Sequence, residues 1–316
     1  MSPHDAFIAP ARRYPQLWRL VLGVGIVGLV WLLGTFLILG LGYASEAILV
    51  DMRFDPMLWT GAAALGEAPG SLLLVLGTFG ALVLGTWMAA RILHGRGMRS
   101  LVGRGTGGWA RFGVGLAAIA APGALSYILP IGPEVELLPG LDPGVWWRLL
   151  IPAVVLIALQ TGAEELAFRG YLQQQLAARF RSSVVWMILP SIGFGLLHWN
   201  GTTFGPNAPL IAASAAAFGL IAADLTARTG SLHAAWGLHF GNNCFAILGA
   251  GTPGPLSGLA LYLIPLDLAD PEAMLPLIAL DGAALALSWL LARWALARLR
   301  PPAPPPISAP SSEARP

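Results

Sequence analysis

Gly162-Ala163-Glu164-Glu165-Leu166-Ala167-Phe168-Arg169-Gly170 puts three charged side chains into the apolar run 146–172. A charge at bilayer depth costs about 2.5–3.5 kcal/mol on insertion scales, so such residues face a protein interior or a cavity and mark functional sites. Glu164 and Glu165 are adjacent, about 100° apart around a helix, and point in different directions. Glu165 and Arg169 are four apart and share a face, the geometry of an ion pair. That pair neutralises one carboxylate and leaves Glu164 to project into a cavity. The plainer alternative is that all three snorkel to an interface at the helix end. Glu164 sits further in than that, and two adjacent acids are a costly way to end a membrane helix.

The rest of the chain supports a membrane setting. It has 316 residues, 56% hydrophobic and 11% charged. Soluble domains carry about 25% charged residues. The mean hydropathy is +0.70. All 18 basic residues are arginine. A pI near 9.0 would suggest nucleic acid in a soluble protein, but here the arginines lie between apolar runs and act as topology signals. No nucleic-acid partner is expected. Cys244 is the one cysteine, which excludes an intramolecular disulfide and any multi-cysteine zinc or iron–sulfur centre. It falls in an apolar segment and reads as a buried, inert thiol.

A spanning helix needs roughly 20 apolar residues. Eight runs qualify: 17–44, 71–93, 109–130, 146–172, 183–199, 208–226, 231–250 and 274–299. The fold class expected is therefore all-α, a polytopic membrane protein with a central polar cavity. The stretch 255–266 is short and flanked by Pro and Gly, and reads as re-entrant or interfacial. Trp18, Trp109, Trp146, Trp147 and Trp199 near span ends fit interfacial belts. The chain divides into a basic arm 1–16, N-terminal helices 17–145, a core 146–250, a last re-entrant segment and helix 251–300, and a Pro-rich tail 301–316 expected to be disordered. Run 17–44 is too long for the apolar region of a cleavable signal peptide. Arginine-rich loops (91–111; Arg179 and Arg181; Arg293 to Arg300) alternate with acidic ones (45–70; Glu134, Glu136 and Asp142; Asp267 to Glu272). The positive-inside rule then puts both termini in the cytoplasm. The Arg-rich loop 91–111 is suited to anionic lipid.

Two later segments add chemistry. In Phe194-Gly195-Leu196-Leu197-His198, Phe194 and His198 are i, i+4. In His239-Phe240-Gly241-Asn242-Asn243, His239 and Asn243 project together, with Asn242 as the less favoured companion. His233 lies on another face and reads as interfacial. A carboxylate with an imidazole can deprotonate a water. A second imidazole with an amide can stabilise an oxyanion. The same set offers a metal site, Glu164 with His198 and His239, a His₂Glu arrangement of the kind that holds zinc. Spacing alone leaves both open. There is no HExxH helix and no GxSxG elbow.

These three motifs, EExxxR at 164–169, FxxxH at 194–198 and HxxxN at 239–243, lie in order within about 80 residues. Together they resemble the CPBP superfamily, the CAAX-protease and bacteriocin-processing membrane proteins, over roughly 145–250. The resemblance implies an eight-helix intramembrane endopeptidase acting on membrane-associated or lipidated peptides. It implies Glu164 as general base working with His198, His239 and Asn243 as oxyanion stabilisers, and Glu165 and Arg169 as supporting groups. Both metal-dependent and metal-free glutamate mechanisms have been attributed to the family, and of the two we favour the second, with a divalent metal such as zinc as the alternative. The all-arginine, Ala/Gly-rich composition points to a bacterial plasma membrane. The competing readings are a non-enzymatic membrane binding or immunity protein and a proton-coupled transporter. The latter needs a polar path to both faces, and beyond Arg19 at its edge run 17–44, like 71–90, holds no intramembrane charge to continue one.

Overall fold

The computed structural model describes residues 2–50, 66–103, 107–128 and 136–299. The tail 301–316 and most of the acidic loop 45–70 lie outside the described residues, as do Arg104 and Glu134. In chain order the helices are α1 (Pro3–Ile8), α2 (Leu17–Val50), α3 (Pro69–Gly77), α4 (Phe79–His94), α5 (Met98–Val102), α6 (Gly108–Ile128) and α7 (Pro143–Glu165). They continue with α8 (Gln174–Arg179), α9 (Leu189–Leu196), α10 (Gly201–Phe204), α11 (Ala208–Thr229), α12 (His233–Cys244) and α13 (Pro271–Arg298). Three π-helical stretches, Leu166–Gln173, Val184–Ile188 and Phe245–Gly249, join or extend them.

Five runs among the described residues are long and apolar enough to cross a membrane: Leu17–Ser45, Pro69–His94, Pro143–Arg179, Gly201–Thr229 and Pro271–Arg298. The protein is an all-α polytopic membrane protein. Its burial is that of a chain in lipid. Only 11% of the most apolar window in Leu17–Ser45 is buried, so Leu33, Phe36 and Leu37 face outward. Meanwhile Thr86, Thr161, Glu165, Arg169 and Gln174 are shut inside, where lipid cannot reach them.

Of the eight expected runs, 109–130, 183–199 and 231–250 are not among these five, and other details differ. Run 71–93 is two helices joined at Thr78, whose Oγ1 donates to the Val75 carbonyl at 2.7 Å. Run 183–199 is shorter than expected, because α9 stops at Leu196 and leaves His198 and Trp199 in the following turn. Segment 255–266 is not helical. It carries β3 (Tyr262–Leu263), which pairs antiparallel with β1 (Leu138–Pro139) and parallel with β2 (Ala250–Gly251). The N-terminal arm is also not loose. Phe7, Ile8 and Ala11 are buried against the bundle. Of the belt tryptophans, Trp18, Trp109, Trp147 and Trp199 are exposed, whereas Trp146 turns in and donates to the Leu248 carbonyl at 3.0 Å.

Small residues set the helix spacing that creates the cavity. In lipid, Gly at i and i+4 lets two backbones approach closely. Gly237 and Gly241 of α12 do this against α6. A Cβ at Gly237 would run into the Phe112 carbonyl, and one at Gly241 would lie 2.5 Å from Ile119 Cγ2. His239 is two residues from each glycine, about 200° away around the helix, so the close seam forces it to the opposite face. Gly237→Val should therefore lower stability by about 1–3 kcal/mol through overpacking. Gly28→Ala, where a Cβ meets nothing within 4 Å, should leave the thermal midpoint in detergent unchanged or slightly raised. Equal midpoints for the two variants would refute the close seam.

Candidate active site

Glu164 and Glu165 are the last two residues of α7, just where the backbone widens into the π-helical stretch Leu166–Gln173. Such π segments recur at functional sites because they re-aim side chains. Here the two carboxylates diverge. Glu165 is wholly buried and turns inward. Its Oε1 accepts from Arg169 Nη1 at 3.0 Å and from His239 Nδ1 at 2.9 Å. Glu164 lines a cavity of about 620 Å³, with Oε2 placed 3.4 Å from His239 Nε2. The i, i+4 pair expected from sequence is thus present, and His239 is held between the two acids.

Arg169 does not snorkel. It is 2% exposed. Its Nη2 donates to the Gly219 carbonyl at 3.2 Å, and its guanidinium carbon lies 4.8 Å from the centre of the Phe194 ring. The Gly219 carbonyl is within reach because α9 and α11 pack through small residues. A Cβ at Gly219 would sit 3.1 Å from Ser191, and one at Gly195 would run into the Ala212 carbonyl. A buried guanidinium with a carboxylate, a carbonyl and a π-face is a compensated charge; the same group missing one partner is not.

These bonds fix proton positions. A carboxylate oxygen only accepts, so His239 Nδ1 carries hydrogen. Its Nε2 faces Glu164 Oε2 at 3.4 Å, and that oxygen makes no hydrogen bond. His198 Nδ1 lies 2.8 Å from the Phe194 carbonyl. That bond requires hydrogen on Nδ1 and leaves Nε2 as the acceptor of the neutral ring. Although His198 lies beyond α9, it lines the same cavity. Phe194 is in ring contact with both imidazoles, 4.7 Å from His198 and 6.0 Å from His239 between centroids.

Asn243 also lines the cavity and donates Nδ2 to Gln160 Oε1 at 2.8 Å. Asn242 lines it too, and donates to Asn243 Oδ1 at 3.3 Å. Gln160 was not expected from sequence. It sits one turn before Glu164 on α7, and the i, i+4 spacing to Glu164 was the available signal. His233 is outside the cavity lining and packs beside Trp109, 5.9 Å between ring centres. Cys244 is half-buried among apolar neighbours.

Among the described residues, no three His, Cys, Asp or Glu side chains converge as a set able to hold a metal ion. The trio Glu164, His198 and His239 is therefore not drawn together as ligands. Both nitrogens of His239 face carboxylates instead.

Residues 145–245 match the model of a protein family described as Rce1-like, type II CAAX prenyl endopeptidase. This agrees with the CPBP resemblance of the three motifs and spans all of them. It supports a CAAX-type intramembrane protease in general terms. The chain is also similar to an uncharacterized protein of Bacillus subtilis (strain 168), YyaK. The two are 24% identical over 246 residues, 76% of this chain and 80% of that protein. No solved structure matches.

Proposed function

We propose that this chain hydrolyses peptide bonds of membrane-associated or lipidated substrates, with Glu164 as the general base. The observation that carries the proposal is the division of labour between two adjacent carboxylates. Glu165 is occupied by Arg169 and His239, while Glu164 lines the cavity beside His239. A carboxylate with no arginine partner, next to an oriented imidazole, is equipped to accept a proton from water. In the proposed cycle a water gives its proton to Glu164 as its oxygen attacks the scissile carbonyl carbon. The negative charge moves to the carbonyl oxygen. In this proposal His239 is the imidazolium, with Nδ1–H on Glu165, and its Nε2–H and the second amide hydrogen of Asn243 donate to that oxyanion. Glu164 then returns the proton to the leaving amine as the C–N bond breaks. His198, with Nε2 as acceptor, orients the water.

Donor geometry favours this carboxylate mechanism over a three-ligand metal centre, since the candidate ligands are not grouped. Both termini are proposed to be cytoplasmic, as the arginine distribution indicates.

The test uses purified protein in liposomes with a quenched library of membrane peptides, read by mass spectrometry in water enriched in heavy oxygen. Cleavage at an internal bond, with one heavy oxygen in the new carboxyl group and activity retained in chelator, is the expected result. Loss of activity in chelator would overturn the metal-free step. Binding without cleavage across a broad library would replace the enzyme reading with that of a membrane peptide-binding protein.

A further inference from the structure

The last helix carries an acid that the proposed hydrolysis does not use. Asp281 lies ten residues into the 28-residue α13, about 15 Å from its start at 1.5 Å per residue. The residue is partly accessible and its carboxylate has an uncharged hydrogen-bond partner, Ser214, in a helix that crosses the apolar layer. A carboxylate at such depth is retained where it faces a cavity and has a task. Asp281 lines the 620 Å³ cavity that also holds Glu164, His198 and His239. It lines a second cavity too, of about 430 Å³, between α6 and α13. That second cavity is otherwise apolar or small-sided, with Pro122 and Leu125 on one wall and Leu277, Leu280 and Leu287 on the other. Asp281 stands where the apolar trough and the site of chemistry adjoin.

The charges around it are one-sided. Among the described residues, no arginine lines either cavity. Arg169, buried beside the site, is tied to Glu165 and to the Gly219 carbonyl. Low-dielectric walls focus the field of an uncompensated charge and select ligands of opposite sign. We infer that Asp281 is a specificity-determining residue: it receives a positively charged side chain or amine of the substrate peptide, while an apolar part of the substrate lies in the trough between α6 and α13. This rests on the hydrolase reading for its place in a reaction, but not for the binding itself.

The test takes a peptide that the protein cleaves and places Lys, norleucine or Glu singly at each of three positions on either side of the scissile bond. The Lys peptide should exceed the norleucine peptide by about 10- to 100-fold in kcat/KM at one position, the lower end of the coupling of close charge pairs. Asp281→Asn should bring that ratio to about one, Asp281→Glu should keep it, and Asp281→Lys should transfer the preference to the Glu peptide. A wild type indifferent to charge at all six positions overturns the inference, as does Asp281→Asn that keeps the Lys preference. Should the wild type cleave nothing, hydrolysis falls, and binding of the same peptides, read by fluorescence anisotropy, decides the role of Asp281. A Lys preference in Kd that is lost in Asp281→Asn upholds it; equal Kd values on the wild type overturn it.

Discussion

Arg169→Met is expected to lower the unfolding free energy by about 3–5 kcal/mol, the cost of leaving one member of a buried ion pair without its partner. Glu165 is fully buried, and Arg169 and His239 are its two hydrogen-bond partners. Removing the guanidinium leaves a carboxylate whose remaining stabilisation comes from an imidazole. Glu165→Gln should cost a similar amount for the mirrored reason, a guanidinium left with the Gly219 carbonyl and the Phe194 ring. The double variant should be no less stable than the worse single, because residues in one network are not additive. Denaturant unfolding in detergent measures all three. A double variant whose loss equals the sum of the singles would show that the two side chains act independently.

The Arg169–Glu165–His239–Glu164 chain explains what was legible in the sequence. The i, i+4 spacings of Glu165 with Arg169 and of His239 with Asn243 are local helix geometry, and both survive folding. The convergence of α7 with α12 is not local. It depends on Gly237 and Gly241 meeting α6, a seam that the sequence displays as GxxxG but does not assign to a partner helix. His198 shows the opposite difficulty. The apolar run continues through Leu196 and Leu197 with no proline or glycine before Gly201, so the hydropathy pattern gives no sign that α9 ends where it does. Asp281 was visible as an acid inside an apolar run, the same signal that singled out Glu164. It lacked a polar neighbour at helical spacing, and only the packing of α13 against the cavity gives it a context.

Glu164→Gln should reduce peptide hydrolysis by about 10²–10⁴-fold, the usual contribution of a positioned general base. The amide keeps the shape of the carboxylate but cannot take a proton from water. Stability should hardly move, because Glu164 faces the cavity and its Oε2, 3.4 Å from His239 Nε2, makes no hydrogen bond. This sets it apart from Glu165→Gln, which is expected to lose activity and stability together. Asn243→Ala should cost about 10²–10³-fold, the usual loss of one oxyanion donor, and it also leaves Gln160 Oε1 without its donor. The informative comparison is Glu164→Gln against His198→Gln in the same assay. His198 has a free Nε2 acceptor in the neutral ring and lines the same cavity, so it is the other group able to take the proton. A Glu164→Gln enzyme that kept more than about a tenth of the wild-type rate, beside an inactive His198→Gln, would move the base to His198 and leave Glu164 as the group that orients His239 from the cavity side.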